Sequence, residues 1–371
     1  MTRGPRIFLS AGEPSGDLHA GAVARALLAR YPDATIDAFG GPQLAASGAR
    51  ILYPMERYTV MGFAEIVSKI PAHAGLYFDL KRKLEAGHYD LFCCVDYPGF
   101  HMRMAGAAKR AGVKVLYYVA PQLWAWRPER AERLRRSVDR LAVIFPFEAP
   151  FFEKLGIPAD YVGHPLLDRQ PWPTRSEARA TLGISAGARV LAVFPGSRRQ
   201  EVRRLWEPFR DAASQLLEDG SADRALVAAV ADQDYPDLGR LEPVEADSLT
   251  VLAAADAVLA KSGTTTLEAA ISDVPMVVAY RVHRLTEILA RRLIRVQWVT
   301  PVNLIADEAV VDELLQDEVT AANLASRARP LLDPSHPTTI AQRRALAQVR
   351  ERLGRSGAAD RVAMIAAELL G

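Results

Sequence analysis

The sequence predicts an α/β protein with two parallel sheets, and three features of the 371-residue chain support this prediction. Its length exceeds what one ordinary domain core contains, so two domains are expected. Short apolar runs alternate with longer segments of helical spacing, which is typical of parallel strands joined by crossover helices. A proline-rich stretch at 163–175 divides this alternation into two series. We therefore expect two Rossmann-like domains that face each other across a cleft, with ligands at the carboxyl ends of the strands.

Each series predicts one doubly wound domain. In the first, strands are expected at 6–10, 35–39, 91–95, 114–119 and 141–144, and helices at 18–30, 75–86, 101–111 and 148–155. In the second, strands are expected at 189–194, 225–230, 249–252, 256–259 and 275–279, and helices at 200–218, 264–271 and 284–293.

The end of the chain, at 338–370, also has helical spacing and is expected to cross back onto the first half. The first predicted domain therefore covers 1–168 together with a terminal helix at 345–371. The second predicted domain covers 169–344.

The composition limits the classes of function. Half of the residues are hydrophobic and 24% are charged, as in a soluble globular protein. A net charge of +2 gives no whole-chain case for nucleic-acid binding, although Arg clusters at 127–140, 198–204 and 281–295 suit phosphate or an anionic membrane as well as a solvated face. No secretory leader, membrane-spanning run or metal-ligand spacing is present in the sequence, and the adjacent Cys93 and Cys94 cannot pair within one strand. These features predict a cytoplasmic protein without a metal site.

The stretch 6–23 reads as a strand, a loop of small residues and a helix. Unpaired backbone N–H groups at such a helix start favour an anionic or hydroxyl-rich ligand. The loop also carries Glu13 and Asp17, whose carboxylates would accept hydrogen bonds from sugar or amide groups, and Asp17 is placed to cap the helix. An ordinary strand-to-helix connection remains the alternative.

Asp96 directly follows the apolar run 91–95 and precedes Tyr97-Pro98-Gly99-Phe100-His101. A carboxylate at the end of a parallel strand lies at the mouth of the predicted cleft. Burial beside the aromatic residues would raise its pKa and suit it to general-base catalysis. The alternative is an Asx-type turn before the proline. His101 is a candidate partner of Asp96, or else a helix cap or surface residue.

In the second half, the apolar run 190–194 leads into Pro195-Gly196-Ser197-Arg198 at a helix start. A guanidinium group above a helix N-terminus suits a diphosphate, because it donates bidentate hydrogen bonds. A surface arginine pair beside a capped helix is the equally weighted alternative.

A second helix start follows 257–259 in the same half. Ser262, Gly263 and Thr264 provide small side chains and close backbone approach to a phosphate. Glu268, one turn further, is able to accept hydrogen bonds from both hydroxyls of a ribose. A capping arrangement with a solvent-facing Glu is the alternative.

The stretch 58–71 combines a compact apolar face with one acidic and one lysine side chain. The face comprises Val60, Met61, Phe63, Ile66, Val67 and Ile70. A stripe of this kind is usually a core helix. On the surface it would contact acyl chains or dip into a bilayer.

These motifs resemble, in this order and over essentially the whole chain, the lipid-A-disaccharide synthase family of inverting glycosyltransferases. The specific matches are Ser-Ala-Gly-Glu-Pro-Ser-Gly-Asp at 10–17, Phe-Gly-Gly-Pro at 39–42, Val-Met-Gly-Phe-Ala-Glu at 60–65, Asp-Tyr-Pro-Gly-Phe at 96–100, Ala-Pro-Gln-Leu-Trp-Ala-Trp at 120–126, Val-Gly-His-Pro-Leu-Leu-Asp at 162–168, Pro-Gly-Ser-Arg at 195–198, Ser-Gly-Thr-Thr-Thr-Leu-Glu-Ala at 262–269 and Pro-Met-Val-Val-Ala-Tyr at 275–280. Two departures are His101, where the family pattern has Asn, and the spacing of Pro301 and Asn303.

The resemblance implies the two-domain GT-B fold and a hexosyl transfer in lipopolysaccharide biosynthesis. UDP-2,3-diacylglucosamine would donate its sugar to 2,3-diacylglucosamine 1-phosphate (lipid X), giving a β-1,6 disaccharide 1-phosphate and UDP. The first domain would bind the lipid acceptor and the second the UDP-sugar. No metal or other cofactor is implied. The enzyme would work at the cytoplasmic face of the inner membrane as a peripheral protein, and the resemblance is compatible with a homodimer.

The same resemblance implies roles for individual residues. Asp96 would be the base that deprotonates the acceptor 6-hydroxyl. The sugar pocket would be lined by Glu13, Ser15, Gly16 and Asp17. UDP would be bound by Arg198 and Asn303 at the diphosphate, by Ser262, Gly263 and Thr264 at the phosphates, and by Glu268 at the ribose. The apolar face at 60–70 would contact the membrane and the acyl chains.

Three rival functions share the predicted fold. One is a peptidoglycan-type N-acetylglucosaminyl transfer onto a lipid carrier. Another is a UDP-N-acetylglucosamine 2-epimerase, which has no need of the apolar face because its substrate is soluble. The third is a non-catalytic nucleotide-sugar or lipid binder, whose activity would survive loss of Asp96.

Overall fold

The computed structural model describes residues 3–58, 63–126, 128–169, 171–230, 233–283 and 296–371, with the backbone alone for 63–69 and 128. The chain forms two compact units, Met1–Asp168 with Arg355–Gly371, and Arg169–Gly354. Among the described helices, none combines the length and apolar character needed to cross a membrane.

The described part of the first unit contains a seven-stranded parallel sheet of order β3-β2-β1-β4-β5-β6-β7. Its strands are β1 (Arg6–Ala11), β2 (Thr35–Gly40), β3 (Arg50–Pro54), β4 (Leu91–Val95), β5 (Lys114–Tyr118), β6 (Arg140–Val143) and β7 (Ala159–Tyr161). The helices between them are α1 (Pro14–Arg30), α2 (Pro42–Ala46), α3 (Phe63–Glu85), α4 (Pro98–Arg110), α5 (Ala131–Arg135) and α6 (Glu148–Lys154), with short 3-10 turns at Met55–Arg57, Pro128–Arg130 and Pro165–Asp168.

The central strands of this sheet are buried on both faces, which explains their continuous apolar sequences. In β1, Ile7 and Leu9 pack into the core under α1, whereas Phe8 packs into the opposite core under α3 and α4. In β4, Cys93 and Cys94 divide between the same two cores. The sheet is therefore covered by helices on both sides.

The described part of the second unit contains a six-stranded parallel sheet of order β10-β9-β8-β11-β12-β13. Its strands are β8 (Val190–Phe194), β9 (Arg224–Ala228), β10 (Glu242–Val244), β11 (Ala257–Lys261), β12 (Met276–Tyr280) and β13 (Asp312–Leu315). Its helices are α7 (Arg175–Thr181), α8 (Arg199–Glu218), α9 (Ser248–Ala254), α10 (Thr264–Ile271), α11 (Pro301–Ala306), α12 (Ala321–Ala328) and α13 (Pro337–Leu353), with 3-10 turns at Gln316–Glu318 and Arg329–Leu332.

A last helix, α14 (Ala358–Leu370), belongs to the first unit. Its start is fixed by Asp168, whose carboxylate accepts hydrogen bonds from the backbone N–H of Gly357 at 2.5 Å and of Ala358 and Ala359 at 3.3 Å. The second unit extends to Gly354, ten residues beyond the predicted boundary at 344, because α13 continues unbroken to Leu353.

The predicted α/β class with two parallel sheets is confirmed. One predicted strand is wrong: 249–252 lies in helix α9, because a short apolar run has the same appearance in a buried helix and a buried strand. The sequence analysis also missed β3, β7, β10 and β13, which are short strands toward the sheet edges. The helix predicted at 284–293 falls outside the described residues.

Candidate active site

The strand order of the first sheet defines a place for a ligand. Chain connections run in opposite directions from β1 and β4, which are neighbours and end together, with Ala11 opposite Val95. A crevice opens at such a switch point, outside the carboxyl ends of the strands. Two segments leave the sheet there, Gly12-Glu13 into α1 and Asp96-Tyr97 into α4.

Asp96 lies where the sequence places it, directly after β4. Burial raises the pKa of its carboxyl, and the negative charge of Glu13 raises it further, while a hydrogen bond from the backbone N–H of Tyr97 opposes the shift. A carboxylate with increased proton affinity at the mouth of a crevice is suited to accept a proton from a substrate hydroxyl.

The backbone at Asp96 and Tyr97 is strained. Their φ angles are +52° and +51°, in the left-handed region that non-glycine residues avoid. Each such residue costs about 1–3 kcal/mol and persists only where the surroundings hold it. The carbonyl oxygen of Asp96 accepts hydrogen bonds from Tyr117 and from His101, which is fully buried and is neither a helix cap nor a surface residue.

Glycine is required at position 12 by the packing of the same loop. A Cβ atom at Gly12 would lie 2.5 Å from the ring of Tyr97, so the aromatic ring packs directly on the backbone. This contact joins the loop after β1 to the loop after β4. It brings Glu13, which is half-buried, close enough to influence Asp96.

The other predicted pocket residues divide into two kinds. Ser15 is exposed in the first turn of α1 and Gly16 is buried. Asp17 does not cap α1, which begins at Pro14. Its buried carboxylate instead accepts hydrogen bonds from the N–H groups of Gly41 at 2.7 Å, Gln43 at 2.9 Å and Leu44 at 3.3 Å. Asp17 therefore holds the start of α2 and has little capacity left for a sugar.

The second sheet has its switch point between β8 and β11, where Phe194 lies opposite Ala260. The loops that leave there are Pro195–Arg198 and Ser262–Gly263. An ion pair between Lys261 and Glu201, at 3.0 Å, lies at this point. Burial raises the pKa of Glu201, but Lys261 and the backbone N–H groups of Ser197 and Arg198 together lower it, and the net direction is downward.

Glu201 also organises the loop after β8. Its carboxylate accepts hydrogen bonds from the backbone N–H of Ser197 at 3.2 Å and of Arg198 at 3.3 Å. Gly196, at φ +132°, allows this approach, because a Cβ there would lie 2.6 Å from that of Glu201. The Arg198 side chain is exposed, and no carboxylate in the described part of the chain pairs with it. Its guanidinium is therefore available to an anion.

In the loop after β11, some residues are buried and others are accessible to a ligand. Ser262 is buried and donates its hydroxyl to the carbonyl of Val299 at 3.0 Å. Gly263 and the exposed Thr264 open α10, whose first amides point away from the helix. A Cβ at Gly263 would lie 3.4 Å from the ammonium of Lys261, so this cation lies directly beside the helix start.

Glu268 is buried in α10, not solvent-facing. Its carboxylate pairs with Arg169 at 3.0 Å and accepts a hydrogen bond from Ser248. Burial raises its pKa, against the opposing charge of Arg169. Arg169 also pairs with the exposed Asp247. A ribose at Glu268 would therefore meet a carboxylate that already has one cationic partner.

Asn303 has a structural role that the sequence does not reveal. Its fully buried amide donates to the carbonyl of Val311 at 2.9 Å and to Glu313 at 3.0 Å, and it accepts from the N–H groups of Val310 and Val311 at 2.9 Å. With every amide position used, the side chain connects α11 to β13. We therefore do not assign Asn303 to the diphosphate.

The predicted acyl-contact face lies partly outside the residues that the structure describes. Val60 and Met61 are outside the described residues, and Phe63, Ile66 and Val67 belong to α3 with only their backbone described. Ile70, later in the same helix, is 56% exposed.

Ile70 forms one edge of a groove of about 1330 Å³ in the first unit. Its apolar wall includes Tyr77, Phe100 and the 64% exposed Phe78, and it reaches Tyr97 beside Asp96. The lining also contains five basic residues, Arg103, Lys109, Arg110, Arg133 and Arg136.

Two of these cations are already paired, Lys109 with Asp139 and Arg136 with Glu132. Arg103, Arg110 and Arg133 have no carboxylate at ion-pair distance within the described part of the chain. The groove therefore combines an apolar wall with free positive charge.

The comparisons with known proteins identify the family and the fold of this chain. The family model described as lipid-A-disaccharide synthetase matches residues 7–368. A lipid-A-disaccharide synthase of Geobacter metallireducens is 42% identical, over 99% of this chain and 97% of that protein. Among solved structures, the glycotransferase of kitacinnamycin has a TM-score of 0.68 at 18% identity, covering 100% of both chains. The UDP-GlcNAc 2-epimerase of Neisseria meningitidis has a TM-score of 0.59 at 11% identity, covering 98% of this chain and 99% of that one.

The two structural neighbours show the fold alone, which transferases and epimerases share. With its two parallel sheets and two switch points, the chain has the two-domain GT-B fold. The sequence match is more specific. The chain belongs to the lipid-A-disaccharide synthase family, which forms the lipid A disaccharide by glycosyl transfer.

Proposed function

We propose that this enzyme transfers the sugar of UDP-2,3-diacylglucosamine to the 6-hydroxyl of 2,3-diacylglucosamine 1-phosphate. The products are the β-1,6 disaccharide 1-phosphate and UDP. The carboxyl of Asp96 carries this proposal, because it lies at the switch point of the first sheet and its pKa is raised by burial and by Glu13.

Asp96 acts on the acceptor. Its carboxylate accepts the proton of the 6-hydroxyl as the oxygen attacks the anomeric carbon of the donor from the face opposite UDP, which inverts the configuration. Glu13, with Ser15 and Gly16 beside it, contacts the sugar, whereas Asp17 supports the pocket through the start of α2. A positioned base of this kind contributes about 10²- to 10⁴-fold to the rate.

The second unit binds the donor. Arg198 and the first amides of α10, at Gly263 and Thr264, bind the diphosphate, and Lys261 adds positive charge beside them. These groups stabilise the negative charge that develops on UDP as it departs. Because fixed cations of the chain supply this stabilisation, the transfer proceeds without a metal. Glu268 binds the ribose together with its partner Arg169.

The groove of the first unit binds the lipid part of the acceptor. The acyl chains lie along Ile70, Tyr77 and Phe78, and the 1-phosphate meets the free guanidinium groups of Arg103 and Arg133. This groove supports a peripheral position of the enzyme on the cytoplasmic surface of the inner membrane, with the acyl chains of both substrates in the bilayer.

A transfer assay tests the proposal directly. Labelled UDP-2,3-diacylglucosamine and its 1-phosphate acceptor are incubated with the enzyme, in parallel with UDP-N-acetylglucosamine as the donor. Disaccharide formed from the acylated donor alone is the expected result. Conversion of the unacylated donor in the absence of the acceptor would instead indicate an epimerase. Transfer of N-acetylglucosamine to a polyprenyl-linked acceptor would indicate the peptidoglycan-type reaction.

A further inference from the structure

The backbone carbonyl of Asp96 lies at the end of a buried hydrogen-bond network that the proton transfer does not by itself require. It accepts a hydrogen bond from the Tyr117 hydroxyl at 2.8 Å and lies 2.6 Å from Nδ1 of His101. On the other side of the imidazole, Nε2 lies 2.7 Å from the hydroxyl oxygen of Ser10. Ser10, His101 and Tyr117 are fully buried. Strand β1, helix α4 and strand β5 thus each contribute one side chain to the network that ends at this carbonyl.

The network determines the tautomer of the imidazole. A carbonyl oxygen is only an acceptor, so Nδ1 of His101 carries the proton that bonds to Asp96. Burial lowers the pKa of His101 to about 4, and the ring is therefore neutral at physiological pH. Its Nε2 then accepts the hydroxyl proton of Ser10. The carbonyl of Asp96 thus fixes the tautomer, and the hydrogen bond from Ser10 holds the ring in place from the other side.

Aromatic packing prevents the imidazole from turning. Tyr97 and Phe100 lie with ring centroids 5.7 Å from that of His101, and Phe92 lies at 6.5 Å, all at steep interplanar angles. The donor at Nδ1 therefore has a single direction. The carbonyl to which it points belongs to a residue in the left-handed region, followed by a second one.

We propose that His101 is a positioning residue for the sugar transfer: its Nδ1–H, oriented by Ser10, holds the Asp96 carbonyl and so directs the Asp96 carboxyl toward the acceptor hydroxyl. The proposal rests on the proposed role of Asp96 as the base. Since the strained backbone at 96–97 is held by surrounding hydrogen bonds, loss of the donor lets the carboxyl move away from its reactive position. A displacement of about 1 Å can lower the rate by about 100-fold, because the reacting atoms must be aligned.

Two isosteric variants separate the two nitrogens of the ring. Asparagine places its amide nitrogen near the position of Nδ1, whereas glutamine places its amide near that of Nε2. His101→Asn therefore keeps a donor for the Asp96 carbonyl, and His101→Gln keeps only a group that faces Ser10. Ser10→Ala is a smaller change that keeps the imidazole but removes the hydrogen bond that holds the ring at Nε2.

We expect His101→Gln to lower kcat by about 10- to 100-fold, because the carboxyl is no longer aligned. His101→Asn should stay within about threefold of the parent, and Ser10→Ala should fall between the two. KM for both substrates and the Kd for UDP should change by less than about twofold, because no binding contact is lost. Circular dichroism and thermal unfolding on each variant identify those that are folded.

The decisive comparison uses Asp96→Asn as the background. If His101 acts through the carboxyl of Asp96, His101→Gln should lower the parent rate but leave the residual rate of Asp96→Asn unchanged. An equal fold-loss in both backgrounds, or equal rates for the Asn and Gln variants at position 101, would overturn the proposal. Full turnover by Asp96→Asn alone would instead overturn the role of Asp96 as base.

Discussion

The two sheets end in matching switch points but present opposite charges there. At the end of the first sheet, two carboxylates, Asp96 and Glu13, lie close together, and burial raises the pKa of Asp96. At the end of the second sheet, Arg198 lies at the start of α8, and Lys261, which pairs with Glu201, lies beside the start of α10. The topology thus gives each unit a crevice for a ligand, and the side chains make the first crevice suited to accept a proton and the second suited to bind a diphosphate. The same fold can therefore serve transferases and epimerases.

The largest effect is expected when the base at the first switch point is removed. Asp96→Asn should lower turnover by about 10²- to 10⁴-fold, because the amide cannot accept the proton of the acceptor hydroxyl. The Kd for UDP, measured by calorimetry, should be unchanged. Asp90→Asn is the matched control, since Asp90 directly precedes β4 at the opposite end of the same strand. Loss of UDP binding in Asp96→Asn would contradict a role confined to the base.

Removing the exposed cation at the second switch point tests whether positive charge there binds the diphosphate. Arg198→Ala should weaken UDP binding by about 10- to 100-fold, because charge-assisted hydrogen bonds to the diphosphate are lost. Arg199→Ala is the matched control, because it removes one positive charge from the neighbouring exposed residue. This variant should bind UDP normally. Equal affinities for the two variants would remove Arg198 from the donor site.

A third variant asks whether positive charge in the first unit serves the lipid and not the nucleotide. Arg103→Ala combined with Arg133→Ala should raise KM for the 1-phosphate acceptor by about tenfold, with no effect on the Kd for UDP. The double variant should also bind less well to vesicles that contain anionic lipid. Arg25→Ala on α1 provides a surface control. An unchanged KM would place the acceptor phosphate outside the groove.

A smaller effect concerns the pH dependence of the base. Because the negative charge of Glu13 raises the pKa of Asp96, Glu13→Gln should lower that pKa. The acidic limb of kcat/KM, which follows ionisation of Asp96 in the free enzyme, should then shift to lower pH. A shift in the opposite direction would show that Glu13 does not act through its charge on Asp96.

The smallest expected effect is that of metal removal. Turnover should be unaffected by chelation with EDTA, because Arg198, Lys261 and the start of α10 compensate the charge on UDP. An activity that falls on chelation and returns with added Mg²⁺ would contradict this proposal.

The sequence predicts the strands at the switch points well, because they are buried on both faces and read as continuous apolar runs. Asp96 and the loops at 195–198 and 262–264 could be predicted for the same reason, since each follows such a strand directly. The short edge strands could not, because pairing on one side leaves little apolar pattern in three or four residues.

The parts of the site that could not be predicted depend on contacts between distant residues. Ser10 and His101 are 91 positions apart and meet because β1 pairs with β4. Likewise, nothing local distinguishes a carboxylate that binds a sugar from one that holds another helix, as Asp17 does for α2. The role of Asn303 is hidden for the same reason, since its four hydrogen bonds go to three residues that follow it along the chain by seven to ten positions.

The return of α14 to the first unit has a consequence for synthesis on the ribosome. Val362 and Ala366 complete the core that contains Ile7 and Leu9, yet the 186 residues of Arg169–Gly354 must be translated first. At about 5–20 residues per second, the apolar surface that α14 covers stays exposed for roughly 10–40 s. The nascent first half is therefore a natural client for a chaperone, and its folding is completed only when the whole chain has been made.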